Sequence, residues 1–165
     1  MHILLAYTSL SGNTREVARA VAACCKAAGH RVDFIEAGVQ TLAAAPLPVA
    51  DYDLYLLGSW SDNAGRTPSE MKHLIAALVE ACGRKPAHVA AFGTGETQWG
   101  EEYFCGAVHR IARFFDSCHP PLCIEQMPHG ERDTQTIIAW TDRVLAQYLN
   151  ESDEHNHADP HRRVA

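Results

Sequence analysis

Hydroxyl side chains are concentrated in one short loop near the N-terminus, Thr8-Ser9-Leu10-Ser11-Gly12-Asn13-Thr14. An apolar run precedes this first loop and a helical pattern follows it, so its backbone N–H groups lie where a helix N-terminus attracts anions. The loop lacks the lysine of the nucleoside-triphosphate motif G-x-x-x-x-G-K-[ST], and the dinucleotide motif G-x-G-x-x-G is also absent. It therefore predicts a site for a terminal monophosphate. An ordinary turn with a Ser or Thr helix cap is the alternative.

Two further loops each carry a tryptophan shortly after an apolar run. The second loop, residues 58–68, contains Trp60, and the third loop, residues 93–102, contains Trp99 together with three glutamates. An aromatic side chain in such a place either lies against a planar ligand or folds back over the edge of the core. Taken with the first loop, the two tryptophans predict a flat heteroaromatic ligand that carries a phosphate.

The elements that must position these loops alternate along the chain. Apolar runs typical of buried strands are separated by segments whose apolar residues recur at helical spacing. The predicted strands lie at residues 3–7, 31–36, 54–57, 89–92 and 122–126. Their order indicates an α/β fold, a three-layer doubly wound sandwich with a five-stranded parallel sheet between helices. In such a sheet ligands bind at the carboxyl ends of the strands, where the strand order reverses.

Length and charge narrow the class of protein. The 165 residues suffice for one domain, 47% of them are hydrophobic and 21% are charged, and the net charge is −6. This charge argues against binding to nucleic acid, which relies on basic patches. No apolar run approaches the roughly 18 residues of a membrane span. The first residues do not resemble a signal peptide, so we expect a cytoplasmic protein that does not contact membranes.

The last residues of the chain differ in composition from the rest. Residues 151–165 contain His155, His157 and His161, several acids and two arginines, with almost nothing apolar. Such a composition is typical of disorder. We therefore expect one domain over residues 1–150 and a disordered His-rich tail over residues 151–165, with no metal site.

The chain has six cysteines, but their spacing does not suggest a metal site or a redox motif. There is no C-x-x-C, and no Cys/His spacing matches a structural zinc site. Cys24 and Cys25 lie inside a helical pattern, where a free cysteine serves as a small hydrophobic residue. Because the chain is not a small secreted domain, we expect all six to be reduced thiols.

Several of these residues match motifs of a known family, and the chain resembles the flavodoxins. Ser9-Leu10-Ser11-Gly12-Asn13-Thr14 is similar to the family's FMN phosphate motif, [ST]-x-[ST]-G-x-[ST], and Trp60 falls where the family often has a stacking aromatic. Gly93-Thr94-Gly95, followed by Tyr103-Phe104-Cys105-Gly106-Ala107-Val108, is similar to the third loop and next helix of short-chain flavodoxins. The resemblance covers about residues 1–149. It implies the strand order 2-1-3-4-5 and one non-covalently bound FMN.

The resemblance also implies which residues hold the FMN. They lie in the three loops and just before the helix that follows the third loop. They are Thr8, Ser9, Leu10, Ser11, Gly12, Asn13, Thr14, Ser59, Trp60, Ser61, Asp62, Gly65, Thr94, Gly95, Glu96, Thr97, Trp99, Tyr103, Phe104 and Cys105. Trp99 is the best candidate for the stacking residue of the third loop, where the family usually has Tyr, and Tyr103 is the alternative.

The function that the resemblance implies is electron transport. We expect a monomeric, low-potential one-electron carrier that shuttles electrons between a reductase and acceptor enzymes and is not a stand-alone enzyme. Acidic residues near the site would disfavour the reduced, anionic flavin and would steer basic partner proteins. The family often has Gly after the second-loop aromatic, whereas this chain has Ser61. Because Ser adopts a positive φ at a cost of about 1 kcal/mol, we expect the peptide between Ser61 and Asp62 to turn less readily on flavin reduction.

Other functions remain open. Trp99-Gly100 with Phe104-Cys105 also resembles the flavodoxin-like activator of manganese-dependent ribonucleotide reductase, although that group usually has a second loop rich in Pro, Thr, Tyr and Gly. A flavodoxin-fold NAD(P)H or quinone reductase is another alternative, but two tryptophans beside the flavin would obstruct a nicotinamide. A flavin-free phospho-acceptor module would need aspartates at the end of the first strand, and the sequence has none there.

Overall fold

A computed structural model describes residues 1–126 and 128–158 of the chain as an α/β sandwich. The strands are β1 (His2–Tyr7), β2 (Arg31–Glu36), β3 (Leu54–Trp60), β4 (Val89–Gly95) and β5 (Leu122–Glu125). The helices are α1 (Asn13–Ala27), α2 (Ser69–Cys82), α3 (Gly106–Phe114) and α4 (Glu131–Ala158). The strands form one sheet in the order β2-β1-β3-β4-β5, and every neighbouring pair is parallel. This confirms the predicted class and strand order.

The side chains of β1 point alternately to the two faces of the sheet, which divides the core into two layers. Ile3 and Leu5 pack with α1 and α4 on one face of the sheet, whereas Leu4 and Ala6 pack with α2 and α3 on the other. This division follows from the two-residue repeat of side chains along a strand. Burying each leucine or isoleucine contributes about 1.5–3 kcal/mol, so the central strands form a firm base for the loops at their carboxyl ends.

The central strands extend further toward those loops than the sequence predicts. β3 ends at Trp60 and β4 at Gly95, and their register pairs Ser59 with Gly93 and Trp60 with Thr94. The prediction that Trp60 lies in a loop past the strand is therefore wrong, because Trp60 is the last residue of β3. Backbone hydrogen bonds between the two strands continue past the apolar residues, and local hydropathy does not reveal such pairing.

Helix α4 extends into the segment for which the sequence predicts a disordered tail. That tail is predicted to begin at residue 151, whereas residues 151–158 are helical. The side-chain amide of Gln147 donates to Glu151 Oε1 at 3.0 Å, one helical turn further on, which supports the extension. Residues 159–165 lie outside the described part of the chain. Within the described residues, no helix has the length and apolarity needed to cross a membrane.

Candidate functional site

A cavity of about 550 Å³ opens at the carboxyl ends of β1, β3 and β4. This is the edge of the sheet where the strand order reverses, and the volume is typical of a site for a small organic ligand. The lining residues are Leu10, Ser11, Asn13, Trp60, Ser61, Asp62, Asn63, Ala64, Gly65, Thr94, Gly95, Glu96, Trp99, Tyr103 and Gln126. The structure thus brings the three loops together around one space.

The first loop folds into a cradle of backbone N–H groups. Ser9 Oγ accepts hydrogen bonds from the N–H groups of Gly12, at 3.1 Å, and Arg15, at 3.3 Å, which closes the loop on itself. Gly12 precedes α1 with φ +97°, a left-handed conformation that favours glycine. No partner within the described residues accepts from the N–H groups of Leu10, Ser11, Asn13 or Thr14. Four free donors at the N-terminus of a 15-residue helix suit an anion.

Two threonines of the first loop hold it against the neighbouring strands. Thr14 Oγ1 shares a hydrogen bond with Thr94 Oγ1 at 2.9 Å, and both side chains are buried. The N–H group of Thr8 donates to the carbonyl of Gly58 at 2.9 Å. Thr8 and Thr14 therefore fix the position of the first loop, and their side chains do not line the cavity.

An ion pair with a tyrosine flanks the first loop. Arg15 Nη2 lies 2.5 Å from Glu36 Oε1, and the Tyr7 hydroxyl donates to Glu36 Oε2 at 2.9 Å. The hydrogen bond from Arg15 holds the pKa of Glu36 below its ordinary value. Burial and the hydrogen bond to Glu36 raise the pKa of Tyr7. The charge of Arg15 is thus paired, and the cradle faces the cavity with neutral N–H groups.

The second loop is a tight turn next to the cavity. The N–H group of Asp62 donates to the carbonyl of Arg66 at 2.8 Å, and the N–H group of Arg66 donates back to the carbonyl of Asp62 at 3.0 Å. Between them Ala64 and Gly65 both have left-handed backbones, with φ of 54° and 69°. For Ala64 this conformation costs about 1–2 kcal/mol, so the turn stores strain where it meets the cavity.

The second loop packs directly on the start of α3. A Cβ atom on Gly106 would lie 2.5 Å from the carbonyl oxygen of Gly65, so only glycine allows this approach. Ser61 Oγ accepts from the N–H group of Ala107 at 3.1 Å, and the Arg110 guanidinium donates to the carbonyl of Gly65. The second loop and the N-terminus of α3 therefore form one connected unit.

The third loop places two exposed aromatic rings at the rim of the cavity. It consists of two short 3₁₀ turns, Thr97–Trp99 and Glu101–Tyr103. Trp99 is 70% exposed and Tyr103 is 40% exposed, although both are large apolar side chains. The Trp99 indole N–H donates to Glu96 Oε2 at 2.8 Å, which fixes the orientation of the ring. Both rings are thus available to a ligand.

The structure separates the predicted site residues into two groups. Those that line the cavity are Leu10, Ser11, Asn13, Trp60, Ser61, Asp62, Gly65, Thr94, Gly95, Glu96, Trp99 and Tyr103. Those that do not line it are Thr8, Ser9, Gly12, Thr14, Ser59, Thr97, Phe104 and Cys105. In the second group, Ser59 and Cys105 are fully buried beneath the loops.

Three lining residues were missed by the sequence reasoning, namely Asn63, Ala64 and Gln126. Asn63 and Ala64 lie between two residues that were predicted, so naming the whole second loop would have included them. Gln126 follows β5, and its N–H group donates to the carbonyl of Gly95 at 2.8 Å. The rule that ligands bind at carboxyl strand ends could have pointed to it.

A 2-1-3-4-5 parallel sheet, with an anion cradle at its first loop and an aromatic-rimmed cavity at its switch point, defines the flavodoxin-like class of nucleotide-binding folds. The model of the flavodoxin domain family matches residues 4–123. A flavodoxin of Nitratidesulfovibrio vulgaris (strain DSM 19637 / Miyazaki F) is 32% identical over 149 residues, covering 87% of this chain and 97% of that protein. The chain belongs to the flavodoxin family.

Further relatives agree with this assignment. A probable flavodoxin 2 of Bacillus subtilis (strain 168) is 32% identical over 142 residues, covering 82% of this chain and 89% of the relative. The crystal structure of oxidised flavodoxin 2 from Bacillus cereus superposes with a TM-score of 0.73 at 25% identity, covering 89% of this chain and 99% of that one. Flavodoxins carry electrons on FMN, so the function of this chain is electron transport and its cofactor is FMN.

The residues around the cavity fit FMN. The four free N–H groups of the first loop match a terminal phosphate, and the cavity rim offers aromatic rings to a flat isoalloxazine. Among the described residues that line the cavity there is no lysine or arginine. The phosphate end is therefore suited to hydrogen bonding by neutral donors.

Proposed function

We propose that this chain is a low-potential one-electron carrier that passes electrons from a reductase to acceptor enzymes and catalyses no reaction on its own. The observation that carries the proposal is the composition of the cavity wall: exposed rings and acids line it together with the cradle of the first loop. Bound there, FMN supplies the electron chemistry. The chain supplies binding, orientation and electrostatics.

The first loop would hold the phosphate. The free N–H groups of Leu10, Ser11, Asn13 and Thr14 would donate to its oxygens, with the hydroxyl of Ser11 at the cavity wall. The buried hydrogen bond between Thr14 and Thr94 keeps the cradle in place without the ligand. Because the donors are already positioned, little conformational entropy is lost on binding.

The aromatic rings would hold the isoalloxazine. Trp60 is partly exposed at the end of β3, and Trp99 and Tyr103 of the third loop line the same cavity. Rings from two loops against the flavin would leave little room for a nicotinamide to stack on it. This arrangement supports a carrier and disfavours an NAD(P)H or quinone reductase, while the exposed third loop leaves an edge of the flavin open to a partner.

Acidic residues near the cavity support the low potential. Asp62 and Glu96 line the cavity, and Glu101, Glu102 and Glu125 are exposed beside it. Electron uptake makes the bound group more negative, and nearby carboxylates oppose that change. The same carboxylates would attract basic surfaces of reductases and acceptors. We further propose that the carrier is a monomer and, from its cysteine usage, that it works in the cytoplasm.

Stepwise anaerobic reduction of the FMN-loaded protein, followed by visible absorption, tests the proposal. Two resolved one-electron steps, together with NADPH oxidation that depends on an added reductase, are the expected results. A single two-electron step, or NADPH oxidation by the protein alone, would contradict a one-electron carrier and favour a reductase. With the reductase present, NADPH oxidation should also slow as salt is raised, since salt screens the carboxylates.

A further inference from the structure

Two cysteine side chains meet on the face of the sheet that α3 covers. Cys123 of β5 is paired in register with Gly93 of β4, and Cys105 Sγ contacts the carbonyl oxygen of Gly93 at 3.9 Å. A Cβ atom on Gly93 would lie 2.6 Å from Val108 on α3, so side chains at this register point toward α3. The absence of that Cβ lets α3 approach closely enough to bring Cys105 to β5.

The two thiols and one imidazole lie close together. Cys105 and His109 are one turn apart at the start of α3. His109 Nε2 lies 3.7 Å from Cys123 Sγ, and the Cys105 thiol donates to the carbonyl of Gly93, the register partner of Cys123. Cys105 is fully buried, whereas Cys123 is partly exposed. Interaction with Cys123 and burial raise the pKa of Cys105, and the interaction with Cys105 lowers the pKa of Cys123. Because Cys123 is also the more exposed thiol and lies beside His109, it is the better nucleophile of the pair.

We propose that Cys123 and Cys105 form a two-electron oxidation site for hydroperoxides, which ends in a disulfide beside the cofactor cavity. The Cys123 thiolate attacks the terminal peroxide oxygen, the O–O bond breaks, and the leaving alkoxide takes up the proton that Cys123 lost. The product is a sulfenic acid on Cys123. The Cys105 sulfur then attacks the sulfenic sulfur, and the hydroxyl leaves with the Cys105 proton as water. The pair loses two electrons, and the hydroperoxide is reduced to an alcohol and water.

The position of Cys105 couples this site to the cavity. Cys105 has a left-handed backbone, with φ +49°, directly before α3. A Cβ atom on Gly95, which lines the cavity, would lie 2.6 Å from the backbone nitrogen of Cys105. A bond from Cys105 to β5 would pull on this close contact and on the third loop. Given the proposed function, the disulfide should weaken FMN binding by threefold or more.

Peptide mass mapping after hydroperoxide treatment tests the site without reference to flavin. The full chain, with and without FMN, is exposed to a stoichiometric excess of hydrogen peroxide, blocked with an alkylating agent and digested under non-reducing conditions. The expected product is a linked pair of peptides containing Cys105 and Cys123, about 2 Da lighter than the two reduced peptides together. Separate alkylated peptides, or linkage of either cysteine to another, would overturn the proposal.

Single substitutions distinguish the roles of the two thiols, and Cys118, an exposed cysteine outside the site, serves as the control. C105S should stop at the sulfenic acid on Cys123, C123S should lose the rapid reaction, and C118S should form the disulfide normally. Rapid oxidation of Cys105 in C123S would overturn the assigned order of attack. FMN titration of the oxidised and re-reduced wild-type protein then tests the coupling, and equal affinities would overturn it. Failure of both forms to bind FMN would refute the proposed function and leave the mass mapping valid.

Discussion

Ser61 Oγ accepts a hydrogen bond from the backbone N–H group of Ala107 at 3.1 Å, which joins the second loop to the first turn of α3. One of the N–H groups that a helix leaves free at its N-terminus is thereby satisfied by a residue 46 positions earlier in the chain. The serine found where the family often has glycine is thus part of the packing between the second loop and α3.

Replacing Ser61 with glycine tests whether its backbone limits the redox chemistry. In S61G the peptide between residues 61 and 62 gains access to positive φ at about 1 kcal/mol less cost. The gap between the two one-electron potentials should widen, which corresponds to an increase of about fivefold in the comproportionation constant. A potentiometric titration measures this constant. S61A is the matched control, since it also loses the bond to Ala107 but keeps the Cβ; an equal increase in S61A would contradict the explanation.

Replacing Gly12 with alanine tests the phosphate cradle. Gly12 has φ +97° and open space around the added Cβ, so G12A imposes backbone strain of about 1–2 kcal/mol without a clash. FMN should bind up to about tenfold more weakly, with riboflavin affinity unchanged, because riboflavin has no phosphate. Fluorescence titration measures both affinities. G29A is the control, because Gly29 has φ +84° and open space but lies at the other end of α1. Equal loss of FMN affinity in both variants would exclude a role for the cradle.

Removing Trp99 tests which ring stacks on the flavin. In W99A the loss of a stacked ring should weaken FMN binding by about 0.5–1.5 kcal/mol, or up to about tenfold, and riboflavin binding equally. Y103A should have the smaller effect if Trp99 is the stacking residue. F114A removes another exposed aromatic, 43% exposed and outside the cavity, and should leave both affinities unchanged. A larger effect of Y103A than of W99A would assign stacking to Tyr103 instead.

The ion pair between Arg15 and Glu36 predicts how stability changes in acid. The hydrogen bond from Arg15 lowers the pKa of Glu36 in the folded state. The contribution of this carboxylate to the free energy of unfolding is therefore fully present above the ordinary carboxyl pKa of 4.5. It is lost as the pH falls through the lower pKa that Glu36 has in the folded state.

Urea unfolding of the apoprotein between pH 7 and pH 3 measures this contribution. The wild type should lose stability below about pH 4.5 more steeply than E36Q, since only the wild type must protonate a carboxylate held by Arg15. E80Q removes an exposed carboxylate on α2 and should follow the wild-type slope. Identical slopes for the wild type and E36Q would show that the pair contributes nothing to the acid response.

The sequence by itself determined the secondary-structure elements and the first loop of the site. The apolar runs at residues 3–7, 54–57 and 89–92 predicted buried parallel strands, because a strand covered on both faces needs apolar side chains at successive positions. The hydroxyl-rich first loop predicted an anion cradle, because its donors are supplied by consecutive residues. Both are local properties, so they can be recognised from the sequence without knowledge of the fold.

The tertiary structure decided which distant residues meet. The bond from Ala107 to Ser61, the contact of Gln126 with Gly95 and the packing of Cys105 and Cys123 in one cluster all join segments on different strands or loops. Their proximity depends on strand register and on how closely α3 approaches a sheet that has glycine at position 93. Hydropathy along the chain reveals neither the strand register nor the approach of α3. Both arise only when the crossovers bring the carboxyl ends of the strands side by side.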